Sequence, residues 1–91
     1  MSVKTKIFHG ELQRIIAEPG ELRLEGSTVG ECLADLVRRY PAVEPLMFDS
    51  LGRLRRQFYV YVNHETMFKA DFAQPVTEND TLILVVLASG G

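Results

Sequence analysis

The sequence predicts a small α+β domain in which one main helix packs on one face of a sheet. Two observations carry this expectation: a single capped amphipathic segment at 28–40, and short runs on either side of it whose apolar residues alternate with a period of two. A third is size: 91 residues, 46% hydrophobic and 24% charged, supply apolar material for one core and no second one.

The elements follow in order. In residues 3–9, Val3, Thr5 and Ile7 share one side and Lys4, Lys6 and Phe8 the other, so a strand here turns Phe8 the polar way. After a stretch closed by Pro19 and Gly20, ELRLE alternates again, with Leu22 and Leu24 opposed to Arg23 and Glu25, and the two strands are expected to form a hairpin. Thr28 with Glu31 three residues on is a capping box and starts the helix. Val29, Leu33, Leu36, Val37 and Tyr40 then form its apolar stripe, with Cys32 beside it. Arg38 and Arg39 suit the C-terminal end of the dipole, and Pro41 blocks extension.

Residues 41–57 form a long connection with room for one helical turn. FYVYVN sets Phe58, Val60 and Val62 against Tyr59 and Tyr61; Asn63-His64 is expected to turn into a short strand near 66–69, and Asn79-Asp80 is a turn before TLILVVL.

That last strand is apolar on both parities, with Leu82, Leu84 and Val86 on one and Ile83, Val85 and Leu87 on the other. One helix covers one face only. The second face is therefore expected to leave Ile83, Val85 and Leu87 partly open beside Phe8, Tyr59 and Tyr61, a patch suited to docking a partner. The competing expectation is that residues 41–57 fold over it as a lid.

The patch leads into Ala88, Ser89, Gly90 and Gly91. Residues 1–87 are expected to form the domain and 88–91 a flexible tail, which when extended spans roughly 13 Å. Without side chains, the glycines can lie in a narrow channel of another enzyme and present the Gly91 carboxylate there. That group, with a pKa of about 3.5, is ionised and a poor electrophile, so it needs activation, for instance as an acyl-adenylate. The chain has no phosphate-binding loop, metal-ligand spacing or credible triad for this, so catalysis is assigned to another protein.

The order of an N-terminal strand pair, STVGECLADL opening the helix, YVYVN, PVTENDTLILV and a final GG resembles the sulfur-carrier branch of the ubiquitin-like β-grasp family, the ThiS and MoaD type, over nearly the whole chain. The resemblance implies a mixed sheet of four to five strands, with the last strand central and its outer face docked to an activating enzyme of the MoeB/ThiF kind. It also implies that Gly91 is adenylated at the expense of ATP, which the partner uses and this chain does not bind. The resemblance further implies that Gly91 is then converted to a thiocarboxylate that gives its sulfur to an acceptor synthase. The connection YPAVEPLMFDSLGRLRRQFYVYVN is similar to that of CysO-like carriers serving cysteine synthesis. The ending VVLASGG departs from the FPPVxGG of the molybdopterin synthase small subunit, which stays as an alternative. A protein modifier joined through Gly91 to a lysine is another, with Lys4, Lys6 and Lys69 as possible acceptors, and a plain interaction domain a third.

Composition narrows the partners. The formal net charge of −2 gives no basic field for nucleic acid or an anionic membrane surface. The lone Cys32 fits a reducing cytoplasm, and the longest apolar stretch is too short to cross a bilayer. His9 and His64 lack partners at ligand spacing, and Arg53, Arg55 and Arg56 are expected to be a solvated loop segment.

Overall fold

The computed structural model describes residues 2–18, 20–63 and 71–86. Within them the chain forms β1 (Ser2–Phe8), α1 (Gly10–Ile16), β2 (Leu22–Glu25), α2 (Val29–Arg39), a 3-10 turn (Pro41–Val43), α3 (Glu44–Met47), β3 (Phe58–Val62) and β4 (Thr81–Val86). The strands lie in the order β2-β1-β4-β3. β1 runs antiparallel to β2 and parallel to β4, and β3 is antiparallel to β4. This is the mixed sheet of the β-grasp fold, with α2 as the main helix on one face. The strand expected near 66–69 lies outside the described residues.

β1 and β2 pair as expected, from Ser2 opposite Glu25 to Thr5 opposite Leu22, but they are not a simple hairpin. The seven-residue α1 stands between them. Its N-cap is His9, whose Nδ1 accepts from the Leu12 N–H at 3.2 Å, and it closes on Ala17 in the left-handed region (φ 46°). Leu12 and Ile16 are thereby delivered to the core.

α2 starts where the capping box puts it, with one change. The Glu31 N–H donates to Thr28 Oγ1 at 3.1 Å, while the Glu31 carboxylate reaches one residue further back, to the Ser27 N–H (2.8 Å) and hydroxyl (2.9 Å). Two more first-turn N–H groups are satisfied by the strap that leads into β4: Val29 donates to Gln74 O (3.0 Å) and Gly30 to Phe72 O (2.8 Å). A Cβ at Gly30 would stand 3.1 Å from that same Phe72 oxygen, and one at Gly26 only 2.8 Å from the Cys32 nitrogen and Glu31 Cβ. Close backbone approach explains both glycines.

Val29, Cys32, Leu33 and Leu36 are buried against the sheet, joined by Val3, Ile7, Leu22, Leu24, Phe58, Val60, Val62, Leu82 and Leu84. Asp35 is buried as well. Its Oδ2 accepts from the Glu25 N–H at 3.0 Å and its Oδ1 pairs with Arg38, which ties α2 to the end of β2. Residues 41–57 do not cover the outer face. Val43 and Met47 enter the core on the helix side, with Leu46, Phe48 and Leu54 packed against it. The long connection therefore adds to the helical layer, and the lid expectation fails.

Asn63 locks the end of β3 to the start of β4. It sits at φ 61°; its amide nitrogen donates to Asp80 Oδ1 and its oxygen accepts from the Thr81 N–H, both at 2.9 Å. The turn before β4 runs from Thr77 to Asp80, the Asp80 N–H donating to Thr77 O (3.0 Å) and Asp80 Oδ2 accepting from the Thr77 N–H (2.8 Å).

Candidate functional site: the outer sheet face at the end of β4

β4 lies inside the sheet, so its side chains are flanked on both edges. The registers place Phe8 opposite Val85 and Val85 opposite Tyr59, then Lys6 opposite Ile83 and Ile83 opposite Tyr61, then Lys4 opposite Thr81. On the outer face these pairs form rows. Polarity falls along them: the row with Lys4 and Thr81 is polar, the middle row mixed, and the last entirely apolar or aromatic. The apolar row lies at the end where β4 runs on toward Gly91.

Five of the six predicted patch residues are thus brought together on the outer face, and Leu87 lies outside the described residues. Phe8 is 55% exposed, and Val85, Tyr59 and Tyr61 are half-buried. Ile83 differs from expectation: it faces outward yet is only 6% exposed. Its cross-strand neighbours, the Lys6 stem and the Tyr61 ring, are long enough to cover a residue between them. Tyr61 also stacks on Tyr59 (centroids 6.3 Å apart, planes 12° from parallel). Ile83 is therefore the floor of the patch, with Phe8, Val85 and the tyrosines as its accessible surface. Ala88, Ser89, Gly90 and Gly91 also lie outside the described residues.

At the same end of the sheet, His9 is half-buried and packs edge-on against Phe58 (centroids 5.7 Å apart), the cross-strand partner of Val86. The turn into β3 is closed by the Phe58 N–H donating to Arg55 O at 3.0 Å, with Arg56 exposed on it. Arg53 pairs with Asp49 (3.2 Å).

On the outer face of β1 and β2, Glu21 pairs with Arg23 and lies 3.5 Å from Lys4 Nζ. The hydrogen bond from Arg23 holds the Glu21 carboxyl below its usual range. Lys6 is exposed and makes no ion pair with a described residue. Sequence reasoning gave Lys6 its face but attached no docking role to it; its place beside Ile83 needs the β1–β4 register, which local alternation does not supply.

Cys32 offers no chemistry at this surface. It is buried in the core, and burial, followed by the Asp35, Glu31 and Glu25 carboxylates, pushes its thiol up to about 11. Among the described residues no group of three metal-ligating side chains forms, and no helix is long and apolar enough to cross a membrane.

The ThiS family profile matches residues 7–91. The chain belongs to the ThiS family. Among solved structures it is similar to SAMP1 from Haloferax volcanii, at 29% identity over all of both chains and a TM-score of 0.81. It is also similar to the small archaeal modifier protein 1 of Methanosarcina acetivorans, at 25% identity over 99% of this chain and 96% of that one, with a TM-score of 0.75. The CysO of Amycolatopsis orientalis, solved in complex with BexX, shares the fold (TM-score 0.73, 24% identity, 96% of this chain and 99% of that one). No curated protein matches the sequence. This ThiS-family chain thus shares its β-grasp fold with SAMP1 and CysO.

Proposed function

We propose that this protein is a sulfur carrier whose Gly91 carboxylate is adenylated by an ATP-dependent enzyme of the MoeB/ThiF kind and then converted to a thiocarboxylate. The observation that carries the reading is the placement of the apolar row Phe8, Val85 and Tyr59 at the end of the sheet from which β4 continues toward Gly90-Gly91. A partner seated on that row has the chain end within reach of its own active site. Activation forms a bond between a Gly91 carboxylate oxygen and the α-phosphorus of ATP and expels pyrophosphate. Hydrosulfide then attacks the acyl carbon and expels AMP, and loss of its proton leaves the thiocarboxylate, with sulfur where oxygen was. The sulfur is delivered to a synthase that accepts it. Catalytic groups come from the partner. The buried, proton-bound Cys32 does not compete as a nucleophile.

The test is the intact mass of the protein isolated from its own cells. Replacement of one oxygen by sulfur, lost in a variant lacking Gly91, is expected. A mass that matches the unmodified sequence under all growth conditions, or one that shows residues beyond Gly91, refutes the reading.

A second reading, attachment of Gly91 to lysines of other proteins, is favoured by the full-length similarity to SAMP1, a small archaeal modifier protein. It shares the adenylation step and differs in the final acceptor. Branched peptides ending in Gly-Gly on lysine, sought in digests of the same cells, separate the two.

A further inference from the structure

We propose that the surface docking on this face is acidic at its margin, and that Lys6 is the cation that receives its carboxylate. The inference rests on the sulfur-carrier reading and adds the electrostatic character of the partner.

The chain as a whole is acidic, with net charge −2. The outer face of β1 and β2 is not: Lys4, Lys6 and Arg23 share its parity, against Glu21 and Glu25. Glu21 is already engaged by both Arg23 and Lys4. Among the described residues of this face, Lys6 is the cation that makes no ion pair. The β1–β2 ladder stops at Thr5 opposite Leu22, so no β2 residue is paired with Lys6 on that side. On its other side is Ile83, the floor of the patch. Its stem belongs to the apolar centre and its ammonium to the margin, the usual division of an interface into a dry middle and a charged rim. At a wet margin a cationic partner surface would repel that ammonium, whereas a carboxylate opposite it speeds the encounter and fixes the orientation.

The experiment measures binding of the full chain to the adenylating enzyme of the same organism over a range of salt concentrations. Lys6→Ala, Lys6→Glu and Val85→Asp are compared with Arg14→Glu, which makes the same change in net charge on α1. At low salt, Lys6→Ala is expected to weaken binding ~2–5-fold and Lys6→Glu ~10–100-fold, mostly through slower association, with the difference shrinking as salt rises. Arg14→Glu should stay within about twofold of the parent. If Lys6→Glu binds like the parent while Val85→Asp does not, the apolar face docks but the acidic margin is refuted. Tighter binding of Lys6→Glu refutes it outright, as does an equal loss in Arg14→Glu, which would mean net charge alone. Self-association through this face, seen by sedimentation and altered by Lys6→Glu, would make the occupant a second copy and overturn the proposal. The sulfur-carrier reading fails separately, on the mass of Gly91.

Discussion

Val85→Asp tests whether the outer face serves docking or folding. Val85 is half-buried on β4, next to Leu84, which is 1% exposed and belongs to the core. Complete burial of a valine is worth ~1.5–3 kcal/mol, so the half-buried side chain contributes about 1, and the poor strand propensity of aspartate adds up to about 1. The stability loss should therefore be ~1–2 kcal/mol, a fall in Tm of about 5–15 °C, which leaves a domain of ordinary stability folded. Leu84→Ala, one residue away, should lose ~2–5 kcal/mol through the cavity it opens. Docking should show the opposite ranking. A carboxylate in the middle of an apolar contact costs ~2–3 kcal/mol or more, which is ~30–150-fold in affinity. Urea unfolding gives the first quantity and pyrophosphate exchange by the adenylating enzyme the second. A Val85→Asp protein that unfolds as readily as Leu84→Ala, or one that is folded and adenylated at the parent rate, refutes the reasoning.

Asn63→Ala removes the acceptor of the Thr81 N–H and the donor to Asp80, and places alanine at φ 61°; a loss of ~2–3 kcal/mol in urea unfolding is expected, with Asn63→Gly recovering about 1 of it. The Asn63 amide, then the Thr77 N–H, hold the Asp80 carboxyl below its usual range, so its stabilisation is present above about pH 4 and fades as pH falls through the lowered folded value. Thermal melts of Asp80→Asn should therefore fall less steeply below pH 4 than those of the parent. The Cys32 thiol should resist alkylation in the native protein and react only on unfolding. Because its folded pKa lies above the unfolded one, stability should decline between pH 9 and 11, a decline that is smaller in Cys32→Ala. Gly26→Ala should destabilise by ~1–3 kcal/mol, since its methyl meets backbone at 2.8 Å; a melt equal to the parent's would show that the close approach is not needed.

What could be read from the chain depended on whether the signal was local. The 28–31 cap, the stripe of α2 and the alternation of β3 are each set by residues a few positions apart, and the structure repeats them. α1 was missed because its punctuation is unusual: a histidine does the work of a Ser or Asp cap, and alanine rather than glycine takes the left-handed closing position. The burial of Asp35 had no local signal, since its partner, the Glu25 N–H, is ten residues away. Both faces of β4 were legible as apolar, yet the closure of Ile83 was not, since its flanking residues Lys6 and Tyr61 are set by a strand register that local alternation does not supply. The same limit applies to residues 41–57, whose apolar positions fit either layer until Val43 and Met47 are seen among the helices.

The interior position of β4 has a mechanical consequence. Traction applied beyond Val86 acts along the strand axis, so the parallel ladder with β1 and the antiparallel ladder with β3 are loaded together in shear. Many hydrogen bonds must then fail at once, whereas an outer strand peels from one side. On the carrier reading proposed above, a chain end drawn repeatedly into another protein would gain from being moored at the middle of the weave.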